Sequence, residues 1–323
     1  MASLLLRVAA GRETERPNMD LSGVYPALTT PYAADGSVSL ADLKHNILKY
    51  NEIGLAGYVA IGSTGESVLL SAKEIDTVLA TVKEAAAPGK RLIAGTGAES
   101  TAETIERTKR AAELGYHAAL VKTPYYYKTV YKPDVYIAHY RRVADASPIP
   151  VLLYSVPQFT GIALEAPEVA ALSEHPNIIG IKESSGVVQR AAEILGSAPP
   201  SFQLLVGSAS MMFPSLALGA RGAILALGSG MPELCLAVFE AMQKSDLQRA
   251  RELQSLIAPA SKLIVAQCGI AGVKYTMDLG GYRGGIPRLP LLPLQEEQKK
   301  AIRDLVARVE AREPARLSGA VSV

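Results

Sequence analysis

Cysteine is scarce: Cys235 and Cys268 are the only two in 323 residues, and neither sits in a C-x-x-C pair. That argues against a disulfide framework or a zinc site and points to a reducing, cytoplasmic compartment. Long apolar runs are missing too. None reaches the roughly 20 residues a transmembrane helix needs, so no membrane partner is expected. Charge is not segregated: 33 basic and 31 acidic residues nearly cancel, and no basic run recommends nucleic acid. The four histidines, His45, His117, His139 and His175, are scattered. There is no G-x-S-x-G elbow and no G-x-G-x-x-G turn, which removes the usual serine hydrolase and dinucleotide-binding signals.

What is present is a hydrophobic fraction of 49%, enough for a substantial core. Short apolar runs recur between turn residues: 24–30, 57–63, 91–97, 118–124, 150–156, 178–184, 202–208 and 222–228. Runs of this length fit strands buried on both faces, as a parallel sheet requires. Helical patterns separate them. One runs from Ser39 to Ile53, and Ser71 to Ala86 opens on the capping box Ser71/Glu74. Thr101 to Leu114 opens T-A-E-T and ends at Gly115, and shorter patterns cover 165–173, 187–195 and 209–218.

Eight strands alternating with helices, without a dinucleotide-binding turn, predict a (β/α)₈ TIM barrel over residues 20–245. Residues 246–312 predict further helices packed beside it as a C-terminal appendage, clearest at 245–264 and 294–311. The tails, 1–19 and 313–323, are expected to be disordered. Glu13 and Glu15 speak against an organellar transit peptide at the start, and Met19 stands near the beginning of the expected fold.

Barrel active sites gather where strands end. Those ends offer Ser63, Thr64, Gly65 and Glu66 after the second strand, and Lys122, Thr123 and Tyr125–Tyr127 after the fourth. The fifth gives Tyr154 and Ser155, the sixth Lys182, Glu183 and Ser184, the seventh Gly207 and Ser208. No histidine falls among them, so metal ligation is not expected. Lysine, tyrosine and hydroxyl chemistry remains. A lysine attacks a carbonyl only as the free amine, which a desolvated barrel mouth favours.

Lys182 follows Ile178, Ile179 and Ile181, a run too apolar for a solvated face. It reads either as such an amine or as a core lysine paired with Glu183. Lys122 competes, but Pro124 suggests that its strand is already breaking, which turns Lys122 to the helical side of the barrel. Tyr154 reads either as a proton carrier or as a core aromatic. The Tyr125–Tyr127 cluster reads equally as a subunit interface.

Taken together, GSTGE (62–66), GTG (95–97), TPYY (123–126), LYSVP (153–157), GIKES (180–184) and VGSA (206–209) resemble the dihydrodipicolinate synthase / N-acetylneuraminate lyase family of class I aldolases. The resemblance runs from about Leu21 to beyond Gly285. It implies a cofactor-free barrel enzyme, assembled as a homotetramer of two tight dimers, acting on a small 2-oxo acid. It implies Lys182 as the Schiff-base lysine, Tyr154 as the proton relay, and Tyr126 as its continuation across the dimer interface. Ser63 and Thr64 would hold the pyruvate carboxylate, with Gly65 lending its backbone, and Gly207 and Ile224 would line the pyruvate pocket.

In the family's synthases an arginine follows V-P-x after the fifth strand, where Phe159 stands here. A phenyl ring makes no charge-assisted bond to a carboxylate. The segments 147–157, 175–184 and 269–285 are similar to the 4-hydroxy-2-oxoglutarate aldolase branch, which releases pyruvate and glyoxylate. Ser63 and Ser184 are the candidates for the second carboxylate in that reading. The alternatives are 4-hydroxy-tetrahydrodipicolinate synthase, a 2-keto-3-deoxy sugar-acid aldolase or dehydratase, and an inactive barrel that binds small acids.

Overall fold

A computed structural model of the chain describes residues 19–313. Its strands are β1 (Gly23–Pro26), β2 (Gly57–Ala60), β3 (Arg91–Gly95), β4 (Ala118–Lys122), β5 (Val151–Ser155), β6 (Ile178–Glu183), β7 (Gln203–Val206) and β8 (Gly222–Leu225). All pair in parallel in the order β1-β8-β7-β6-β5-β4-β3-β2. A bridge between Ala27 and Val59 then brings β1 against β2 and curls the sheet into the expected barrel. Each predicted run outlasts its strand, and the surplus residues at its C-terminal end form the βα loops.

Alternation along the strands builds two apolar shells. Every strand contributes to the axial shell, through Tyr25, Val59, Ile93, Leu120, Leu152, Ile179, Leu205 and Ile224, and a bulge at the start of β6 puts Ile179 inward out of step with Lys182. Their neighbours, such as Val24, Val121, Leu153 and Ile181, face the helices instead. The barrel is therefore a packed core whose only room lies at its ends.

Local signals place the helices. Ser39 caps Leu40–Asn51, and Ser71 and Glu74 form the expected capping box on Ala72–Ala85. The cap of Thr101–Glu113 is Ser100, one residue before the expected start, because its hydroxyl accepts the Glu103 N–H at 3.1 Å. Two of the longer helices, Pro133–Ala146 and Pro232–Gln243, have no counterpart among the predicted patterns, and the first is the longer. Its first turn carries a proline and no capping side chain, so the usual start signal is missing. Shorter helices follow at Ala166–Ser173, Val188–Ser197 and Met212–Ala217, and Pro232–Gln243 follows β8.

The C-terminal part holds the helices Leu247–Ala260, Gly269–Leu279 and Glu296–Arg312. Pro259 withholds an amide donor near the end of the first, and the chain widens there into a π-helical segment, Ser261–Gln267. The expected tails lie outside the described residues apart from Met19 and Glu313. The Met19 carbonyl accepts from Gln203 at 2.7 Å, and Glu313 pairs with Arg249 at 2.5 Å. Among the described residues no helix is long and apolar enough to cross a membrane.

Candidate active site

The strand register itself brings three of the candidate side chains into one row. Lys122 on β4 is opposite Tyr154 on β5, and Tyr154 is opposite Lys182 on β6. All three share the inward face, since Leu120 and Leu152, two residues earlier on their strands, belong to the axial shell. Lys122 thus faces inward, not to the helical side as the sequence predicts. Pro124 acts two residues too late to change the direction of Lys122 within β4.

Lys182 is 4% exposed, and its Nζ lies 4.3 Å from the centre of the Tyr154 ring. The pairing with Glu183 does not form. Glu183 faces the other side of the strand, where it meets Arg190 at 3.5 Å and accepts the Ser185 N–H at 3.0 Å. Burial raises its pKa above the ordinary carboxylate value, with Ser185 and Arg190 opposing. Among the described residues no carboxylate stands within ion-pair distance of Lys182, so its amine is left to the cavity.

That cavity is about 540 Å³ and opens at the C-terminal ends of β5, β6 and β7. Thr64, Tyr154, Lys182, Ser184 and Gly207 line it, together with Gln158, Phe159 and, from the C-terminal part, Ser261, Lys262, Val265, Ala266, Gly269 and Ile270. Ser63 stands just behind, its Oγ 3.4 Å from the Tyr154 hydroxyl. The Ser184 hydroxyl is buried without a partner. Gly207 has to be glycine, because a Cβ there would collide with the Ser184 side chain. Ile224 lies deeper, fully buried in the axial shell.

The loop after β2 is held from below. Its Gly65 N–H donates to the Gly62 carbonyl at 3.1 Å, and its carbonyl accepts from Thr30 at 2.7 Å. Ile61 and Glu66 both adopt left-handed backbone at φ 57°, a conformation that costs energy for residues with a side chain. Glu66 is anchored by Lys274 at 2.7 Å and by the Arg288 N–H at 2.8 Å. Lys274 in turn donates to the carbonyls of Thr30 and Ile286.

Tyr126 is not brought to this cavity within the chain. Its side chain is 73% exposed, beside Tyr127, which is 62% exposed. Its backbone is fixed, however, since one Glu99 oxygen accepts the N–H groups of Tyr125 and Tyr126 at 3.0 and 2.9 Å.

Sequence reasoning missed three supporting residues. Gln158 donates to the carbonyls of Ser184 and Ser185 and so fixes the loop that carries Ser184. Glu99 and Lys274 are the others. Lys274, between apolar neighbours, carried the same signal as Lys182, an ammonium with no polar face to occupy.

A (β/α)₈ barrel with a buried, unpaired lysine against a phenol at its C-terminal mouth defines a class I aldolase, a carbon–carbon lyase of the Schiff-base type. Residues 20–309 match the Dihydrodipicolinate synthetase family, and the chain belongs to it. It is 38% identical over 273 residues to 4-hydroxy-tetrahydrodipicolinate synthase of an Exiguobacterium species, covering 84% of this chain and 92% of that enzyme. The like-named enzyme of Methanothrix thermoacetophila is 35% identical, covering 89% of this chain and 96% of its own. Among solved structures, the chloride-inhibited dihydrodipicolinate synthase of Acinetobacter baumannii, complexed with pyruvate, aligns with a TM-score of 0.84 at 32% identity. That alignment covers 88% of this chain and 98% of the other. These names favour the synthase alternative over the expected 4-hydroxy-2-oxoglutarate aldolase.

Proposed function

We propose that Lys182 forms an imine with the 2-oxo group of 4-hydroxy-2-oxoglutarate and that the chain cleaves it to pyruvate and glyoxylate. The observation that carries the lysine chemistry is the Lys182 amine over the Tyr154 ring, free of a carboxylate partner. The observation that favours this substrate is Phe159, an apolar ring on the cavity wall, at the position where the resemblance implies an arginine in the family's synthases.

In this reading the amine attacks C2, and loss of water gives the protonated imine. Tyr154, joined to Ser63 at its hydroxyl, takes the proton of the 4-hydroxyl. The C3–C4 bond breaks, its electron pair moves into the iminium, and glyoxylate leaves. Protonation of the enamine at C3 and hydrolysis return the amine and release pyruvate. Thr64 and Ser63 receive the C1 carboxylate, and the Ser184 hydroxyl offers a further donor on the wall of the same cavity. Tyr126 serves the relay only if a second copy of the chain brings it to Tyr154, as in a dimer-built tetramer. No metal or organic cofactor enters any of these steps.

The names of the relatives support a second reading, condensation of pyruvate with aspartate semialdehyde by the same imine. One comparison decides: kcat/KM for pyruvate release from 4-hydroxy-2-oxoglutarate against kcat/KM for that condensation. We expect the first to exceed the second by at least tenfold. The reverse order replaces the aldolase reading with the synthase.

A further inference from the structure

Lys122 is a largely buried cation that the imine chemistry does not use. Its side chain is 13% exposed, and its only ion-pair partner among the described residues, Glu99 Oε1, stands at 3.6 Å, beyond hydrogen-bond range. The other Glu99 oxygen is occupied by the N–H groups of Tyr125 and Tyr126. The Tyr125 ring lies 5.0 Å from the ammonium, but an ammonium has three donors and no acceptor, so Lys122 keeps donors to spare in a place where water is scarce. Burial pulls it below the ordinary lysine value while Glu99 pushes back. A second carboxylate would restore what burial removes.

Its surroundings have room for one. Lys122 lines a chamber of about 300 Å³ with Ser63, Tyr125, Val156 and Phe159. Val156, Phe159 and Ile270 also line the larger cavity that holds Lys182, so the two spaces share a wall. Among the residues lining the chamber Lys122 is the only cation, and the one acid, Glu66, is held by Lys274. Two strand spacings, about 10 Å between Cα atoms, separate Lys122 from Lys182, a span that two lysine side chains and a short dicarboxylate bridge readily. The other cation on the larger cavity, Lys262, is exposed and hydrated, which weakens any contact it makes.

We propose that Lys122 receives the distal carboxylate of the substrate, so that the aldehyde half handled by this enzyme is one that carries a carboxylate. The inference rests on the imine at Lys182 but not on which carboxylated aldehyde is the natural one.

Borohydride trapping tests it without turnover. The enzyme is titrated with 2-oxoglutarate and with 2-oxopentanoate, which differ only in carboxylate against methyl at the far end. The intact chain should reach half-maximal reduced adduct at about tenfold lower 2-oxoglutarate, the effect of one charge-assisted contact. Lys122→Gln and Lys122→Met should bring the two concentrations together, while Lys122→Arg should keep most of the difference. The 2-oxopentanoate adduct shows in each case that the variant is folded. Should both neutral variants fail to fold, Glu99→Gln provides the second arm, because removing the competing carboxylate should widen the preference. The inference is overturned by equal trapping in the intact chain, by a preference that survives Lys122→Gln, by one lost instead in Lys262→Met, or by one that Glu99→Gln leaves unchanged. Adducts without charge preference sink this inference alone. A complete lack of adduct with either acid sinks the imine reading as well.

Discussion

Glu66 and Lys274 meet at 2.7 Å with both side chains wholly removed from solvent, one on the loop after β2 and the other on the helix Gly269–Leu279. The pair spans more than two hundred positions of sequence and holds a left-handed residue in place beneath Ser63 and Thr64. Removing one partner leaves an uncompensated charge in the core. Lys274→Met should therefore destabilise the fold by about 3–5 kcal/mol, and the double variant Lys274→Met/Glu66→Gln should recover part of that loss. Denaturant titration of the three chains measures it. A single variant as stable as the parent would show that the pair does not hold the loop.

Lys182→Arg keeps the charge but cannot form the imine. Turnover should fall by about a thousandfold or more, and the reduced pyruvate adduct should vanish from the peptide that contains position 182. Mass spectrometry of the digested, borohydride-treated protein reads both points. An adduct that persists, or one found on Lys122, contradicts the assignment.

Tyr154→Phe keeps the ring over Lys182 and removes only the hydroxyl that meets Ser63 at 3.4 Å. Loss of a positioned acid–base group should lower kcat by about 10²- to 10⁴-fold. Pyruvate should still be trapped on Lys182, more slowly than in the parent. Unchanged kcat would return Tyr154 to the status of a core aromatic.

Phe159→Arg places a cation on the cavity wall. If that position selects the aldehyde, kcat/KM for condensation of pyruvate with aspartate semialdehyde should rise relative to that for 4-hydroxy-2-oxoglutarate cleavage, by about tenfold. A ratio that does not move would mean that the aldehyde is chosen elsewhere.

His139 gives a pH-dependent signature of the fold. Burial first, and the nearby Lys122 charge second, push it down to about 4 from the ordinary 6.5. The folded imidazole stays neutral while the unfolded one takes up a proton, so its linkage works against the fold in acid. Stability is unaffected by this group above pH 6.5 and is lost as the pH falls from there towards about 4. His139→Gln should flatten that part of the curve. Thermal melts between pH 4 and 7 test it, and parallel slopes for the two chains would rule it out.

The barrel was legible because buried parallel strands leave a simple mark, a short apolar run closed by a turn. Lys182 was legible for the same reason in reverse, as a charge with no polar face to occupy. Where the sequence failed, the deciding contact was remote or the local signal was misplaced. Pro124 suggested a strand end, yet strand alternation fixes the direction of Lys122 before the proline acts. The helix Pro133–Ala146 starts on a proline without a capping side chain, so nothing local announces it. Glu99 and Gln158 act through hydrogen bonds to other loops, and no spacing along the chain reports those.

The wall formed by the π-helical segment gives the cavity two separate sources of shape. The lysine–tyrosine row is set by ladder register, and a shifted residue there would misalign three neighbouring strands at once. The facing surface, from Ser261 to Ile270, belongs to helices outside the ladder. One wall of the cavity is thus fixed by strand pairing, the other by how helices pack against the barrel. Substitutions among the six residues of that stretch that line the cavity would reshape one wall and leave the strand register of Tyr154 and Lys182 as it is.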